Sequence, residues 1–171
     1  MGMFMTSVSF RRGNDTNWNE IKPLIENMFK GVEDLSDNLD TEGPAYAILD
    51  AYGHMSMFLS ELPEIISKLT GDYAVFANCV DSDFATLELY CNGDLLDSCV
   101  IGEVYEEFSE FCEAKSPDLE IWKRLLLDEG QIDLLNHALF GHEVFVEDQL
   151  RMLTQVTGLP IFDDEMIEAV G

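Results

Sequence analysis

Three observations predict an α+β fold, a small mixed sheet that includes a hairpin over residues 73–101, with two packing helices and a C-terminal helical cluster. Strand-like runs recur through the first hundred residues and are interrupted by two helical stripes. Asn92-Gly93 separates two such runs. That dipeptide is the strongest short hairpin signal, because a type I′ turn needs positive φ at both central residues. From Glu103 onward the apolar residues recur at helical spacing. A length of 171 residues suits a single domain, with its sheet-containing part at about 1–102 and its helical part at about 103–171.

Taken in chain order, residues 3–11 (MFMTSVSFR) are rich in strand formers and alternate in part, which predicts a first strand. A helix follows the loop at residues 13–17, with Thr16 or Asn17 as its cap. Its stripe is Trp18, Ile21, Leu24, Ile25, Met28 and Phe29, and Pro23 is expected near its first turns. Residues 32–43 are acidic and punctuated, so they read as a loop or frayed end. Residues 45–51 read as a buried strand broken by Gly53. A second helix ends at Gly71, with Leu62, Ile65, Ile66 and Leu69 on one face, Ser60 as its cap and Pro63 in its first turn.

The middle is the best specified region. Strands are predicted at 73–80, 84–91 and 94–101, joined by the Asp81-Ser82-Asp83 turn and by Asn92-Gly93. A two-residue hairpin loop sets Cys91 against Asp94, Tyr90 against Leu95, Leu89 against Leu96, and Glu88 against Asp97. Residues 103–113 then read as an acidic helix with a stripe of Val104, Tyr105, Phe108, Phe111 and Cys112. Short helices are expected around Trp122, at 132–140 and at 144–156, the last ended by Gly158-Leu159-Pro160. The tail at 161–171 has room for one more helical turn.

Charge decides the class of partner. Nine Lys+Arg against 34 Asp+Glu leave a formal net charge of -25. A field of that sign repels nucleic acid and anionic membrane, and it attracts basic proteins. No apolar run is long enough to span a bilayer. The apolar start lacks the basic residues and cleavage site of a signal peptide, so a cytoplasmic location is expected. Cys79, Cys91, Cys99 and Cys112 have no CxxC spacing, and they read as reduced thiols serving mainly as small core residues.

No catalytic motif emerges: there is no GxSxG, GxGxxG, Walker loop or HExxH. Asp81-Ser82-Asp83 resembles the opening of a calcium loop but lacks the later glycine and glutamate. His137 and His142 are poorly spaced for a shared metal. Neither cofactor nor metal is expected. Two features point to partner binding. Like charges opposed across a strand pair destabilise it by up to about 1 kcal/mol, so Glu88 facing Asp97, beside Tyr90, calls for a cation from elsewhere. Glu103, Glu106, Glu107 and Glu110 of the acidic helix form an electrostatic landing surface.

The segment VDSDFATLELYCNGDLLDS, then Pro117, Asp118 and Trp122, then FVEDQLRMLTQVTGLP, resembles small acidic bacterial proteins of uncertain function over residues 73–160. In general character, though by no diagnostic motif, the chain also resembles immunity proteins. The favoured reading is a non-enzymatic inhibitor of a basic partner such as a toxin. No site carries over from either resemblance, and the contact residues Glu88, Tyr90, Asp97, Glu103, Glu106, Glu107 and Glu110 come from the hairpin and the acidic helix. The alternatives are a small enzyme or ligand-binding domain with a carboxylate-lined pocket between the sheet and the C-terminal helices, and a self-associating structural module. The oligomeric state is open.

Overall fold

The computed structural model describes residues 2, 4–11, 15–28, 45–50, 61–110, 113–162 and 164. Five strands form one sheet in the order β2-β1-β3-β4-β5: β1 Met5–Arg11, β2 Ala45–Asp50, β3 Tyr73–Val80, β4 Phe84–Cys91 and β5 Asp94–Gly102. The α+β class is as expected. Among the described residues the sheet is not mixed, however, since every pairing is antiparallel.

Alternation sends the two sides of each strand into different cores. Met5, Val75, Ala77, Cys79, Ala85, Leu87, Leu89, Cys99 and Ile101 face the C-terminal helical layer. That layer comprises α3 (Leu119–Trp122), α4 (Ile132–Phe140) and α5 (Val146–Thr157). Trp122, Leu135, Leu150 and Leu153 fill the space against the sheet, where the sequence reading had allowed for a pocket. On the opposite face Val8, Phe10, Ala74 and Phe76 meet Trp18, Ile21 and Ile25 of α1 (Asp15–Met28) and Leu62 and Ile66 of α2 (Leu62–Thr70). Sheet and helices therefore stack as three layers.

The first strand is tied to the far layer by polar groups. Ser7 Oγ donates to the Ile161 carbonyl at 2.8 Å, and the Arg11 guanidinium donates to the carbonyls of Leu125 and Thr157.

Several local expectations shift. Helix α1 begins at Asp15, ahead of both expected caps, and Pro23 lies in its interior. Leu24 (in α1) and Ile65 (in α2) point outward rather than joining their stripes. At Gly71 φ is +66°, the left-handed stop that its position after α2 implied. The acidic stretch at 32–43, Gly53, Ser60, Phe29, Phe111, Cys112 and nearly all of the tail lie outside the described residues.

The hairpin register is the main correction. Asn92 and Gly93 have φ of +50° and +85°, as a type I′ turn requires. Cys91 faces Asp94 and Tyr90 faces Leu95, as expected. A bulge then intervenes between Leu89 and Tyr90, so Leu89 faces Asp97 and Glu88 faces Ser98. One extra residue in β5 reverses the side on which the following side chains emerge. Asp97 thus turns into the core, 4% exposed. Its Oδ2 accepts from the Trp122 indole N–H at 2.8 Å and from the Asp118 N–H at 3.0 Å. Lys115 Nζ stands 3.9 Å from Oδ1. Burial, then the Asp97 carboxylate, push the neighbouring Cys99 thiol well above its usual range.

Replacing Asp97 by Ala leaves two N–H donors without their acceptor and is expected to cost about 3 kcal/mol, whereas Asn, which keeps one acceptor oxygen, should cost about half as much. Urea unfolding of the two variants measures this. A loss below about 1 kcal/mol for the Ala variant would show that the carboxylate does not organise this region.

Candidate protein-binding surface

The sequence reading placed the partner-binding residues on two features, the hairpin and an acidic helix. The structure alters both. Residues 103–110 do not form an α-helix: they are irregular around one 3-10 turn at Glu106–Phe108, and 111–112 lie outside the described residues. Closely spaced glutamates oppose helix formation, and Tyr105, at the N-cap position, makes no side-chain cap. Gly102 takes φ +83°. A Cβ there would lie 2.4 Å from the Asp83 carbonyl oxygen, so the chain leaves β5 pressed against the β3–β4 turn.

That turn is the centre of the site. Asp81 and Ser82 hold left-handed φ of +50° and +62°, uncommon for residues other than glycine. Four hydrogen bonds from three segments hold the turn in place. The Gly2 N–H donates to Asp81 Oδ1 at 2.7 Å. The Glu103 N–H donates to the Asp83 carbonyl at 2.9 Å, and the Val146 N–H donates to the Ser82 carbonyl at 3.0 Å. Ser82 Oγ donates to Glu147 Oε1 at 2.5 Å, while Glu147 Oε2 is buried with no described partner. Burial, then the Glu147 charge, lift the nearby Cys79 thiol to about 12, so it stays protonated.

Around this end of the sheet, large apolar side chains are exposed rather than packed. Phe4 is two residues from Gly2, Tyr105 is two residues from Glu103, and Val144 and Phe145 immediately precede Val146. Their exposures are 47%, 45%, 84% and 55%. Phe108 is the exception in the loop and packs on Phe84, with ring centroids 5.6 Å apart. Asp81 and Asp83 are half-buried, while Glu103, Glu106 and Glu107 are exposed. Asp83 first, then Glu103, push the Tyr105 phenol pKa upward, so both charges bear on that ring. No Lys or Arg occurs between Lys68 and Lys115.

The predicted residues sort accordingly. Glu103, Glu106 and Glu107 come together on the loop beside the turn, and Glu110, further along it, is exposed as well. Glu88 and Tyr90 lie toward the other end of β4. Glu88 is about 13 Å from Phe84 at roughly 3.3 Å per residue. The Tyr90 hydroxyl donates to Glu88 Oε2 at 3.3 Å. Asp97 belongs to the core and is no part of the surface.

Sequence reasoning missed Phe4, Val144 and Phe145, and it placed Tyr105 in a buried stripe. The available signal was the run His142-Glu143-Val144-Phe145, which a helix start set two residues too early had absorbed. This arrangement suits binding: fixed negative charge around exposed aromatic surface on a braced backbone. No protein-family model, curated protein or solved structure matches the chain. The likeness noted over residues 73–160 therefore rests on those residues alone.

Burial raises the Glu88 pKa above its ordinary 4.5, with the Tyr90 hydrogen bond opposing the shift. In that window the folded chain binds more protons than the unfolded one, so stability falls as pH rises through it. Glu88→Gln removes the effect. It is expected to raise Tm at pH 7, with the gain vanishing below the ordinary carboxylate range. Equal gains at pH 7 and pH 4 would show that ionisation of Glu88 is not responsible.

Proposed function

We propose that this chain is a non-enzymatic binding domain that holds a basic protein partner, in the manner of an immunity or antitoxin-like inhibitor. The binding surface is the acidic, aromatic-studded end of its sheet. The observation that carries this reading is the gathering of Phe4, Tyr105, Val144 and Phe145 with Asp81, Asp83, Glu103, Glu106 and Glu107 around one braced turn. Exposed aromatics are the residue type that most often anchors an interface. Carboxylates around them, which have no ion pair among the described residues, select a cationic partner and speed its approach.

The two parts do different work. The glutamates act at a distance and are screened by salt over about 8 Å at physiological ionic strength. The aromatic anchors act at contact and hold the complex once water is excluded. A net charge of -25 strengthens the first effect over the whole molecule, and this end joins it to exposed aromatic contact.

The partner should be recovered by affinity capture from the native host at low salt, eluting late in a salt gradient as one basic protein. Glu103→Lys, Glu106→Lys and Glu107→Lys together are expected to weaken its binding at low salt by at least about tenfold and to flatten the salt dependence. Tyr105→Ala with Phe145→Ala should weaken it by about tenfold at every salt concentration. A captured partner whose affinity survives both variants would remove this surface from consideration.

A further inference from the structure

The Glu88 end of the sheet face has a feature that the basic-partner reading does not use. Thr86 and Glu88 of β4, Ser98 and Val100 of β5, and Glu113 and Lys115 of the segment returning along β5 line a recess of about 310 Å³. That volume is at the lower end of those that hold small ligands. The lining brings together two carboxylates, two hydroxyls and one ammonium. The ammonium is directed to Asp97, at 3.9 Å. Among the described residues neither Glu88 nor Glu113 has an ion pair.

We propose that this recess binds an alkylammonium or guanidinium group, with Glu88 as its counter-charge and the hydroxyls of Thr86 and Ser98 as further acceptors. A carboxylate offers about four acceptor positions, and the long Tyr90 contact of 3.3 Å fills one of them. A group that carries several N–H donors and a positive charge answers both deficits at once. The sign of the lining disfavours an anion, and an apolar guest would leave Glu88 desolvated and unanswered. A metal ion fits less well. Among the described residues no three acidic, His or Cys side chains are close enough together to hold one, whereas hard divalent cations need six or more oxygen ligands.

The same chemical group could belong to a free small amine or to a Lys or Arg side chain of another protein. Titration of the ¹⁵N-labelled chain with butylammonium and butylguanidinium, read at the amides of Thr86, Glu88, Ser98 and Val100, tests the site. Tetramethylammonium, of equal charge but without N–H donors, is the control. Saturable shifts confined to these amides are expected, weakened by about tenfold in Glu88→Gln. Glu103→Gln, Glu106→Gln and Glu107→Gln together should leave them unchanged. Since Glu88→Gln removes a half-buried charge whose pKa burial already raises, loss of fold will not explain its effect, and the retained spectrum verifies that.

Equal shifts with tetramethylammonium, shifts spread over all acidic surfaces, or an unaffected Glu88→Gln variant would each overturn the proposal. None of these would bear on the turn-centred surface, which the lysine reversals test separately. A short peptide with one central lysine, compared with its Nε-acetyl form, distinguishes the sources. Comparable affinity for peptide and free amine identifies a small-molecule site, while much tighter binding of the peptide identifies a protein side chain.

Discussion

A carboxylate cannot sit between a β-sheet and an apolar helical layer unless polar groups answer it, and Asp97 is answered from three directions. The Trp122 indole reaches it from α3, the Asp118 amide from just before that helix, and the Lys115 ammonium from outside the β5 edge. Together these hold the returning segment against the edge strand, where the Val100 N–H also donates to the Lys115 carbonyl at 2.8 Å. An edge strand with free backbone groups invites pairing with other chains, and this segment occupies part of that edge. The return also confines residues 103–110 to a short excursion between Gly102 and the edge. The loop is thereby kept beside the β3–β4 turn, so the position of Glu103 and Tyr105 follows from the bulge that turned Asp97 inward.

How much of this could be read from the residues depends on how local each cause is. The bounds of β3 and β4, the type I′ turn and helix α4 are set by alternation, by Asn-Gly and by helical spacing within a few residues, and they agree closely with the structure. The bulge is different. Nothing within residues 94–98 distinguishes a regular ladder from one with an extra residue, because the decisive partner, Trp122, lies 25 residues away. The same holds for residues 103–113. Their apolar spacing suggests a helix, but over 103–110 the pull of Asp97 on Asp118 and the tight exit at Gly102 override it. Glu103, Glu106, Glu107 and Glu110 were thus identified correctly as exposed acids, though on the wrong backbone. Val144 and Phe145 were hidden because a periodic pattern cannot show where a helix actually starts.

Charge is distributed with the same logic. The two carboxylates drawn inside, Asp97 and Glu147, are met mainly by neutral donors, namely an indole, an amide and a hydroxyl. Among the described residues, three cations fasten the C-terminal layer. Arg11 holds two of its carbonyls, Arg151 pairs with Asp148 and Asp164 while lying over Phe162, and Lys123 pairs with Glu120. Among the described residues, no ion pair reaches the sheet end that carries Asp81, Asp83 and Glu103. A net charge spread evenly would serve solubility alone. Withholding cations from one end gives the field a direction.

Direction matters only if the surface it leads to is already shaped. Association loses translational freedom, and it loses more where loops must be ordered on contact. Here the turn is fastened by Gly2, Glu103, Val146 and Glu147 before any partner arrives, and the backbone of Ser82 is held in a conformation it would rarely adopt alone. Strain of this kind persists only where its surroundings over-determine it, and it clusters at functional sites. The loop glutamates by themselves would describe a solvated acidic edge. A braced turn with exposed aromatic side chains at its margin adds a fixed geometry for contact, and that combination ranks this end of the sheet above the other acidic surfaces among the described residues.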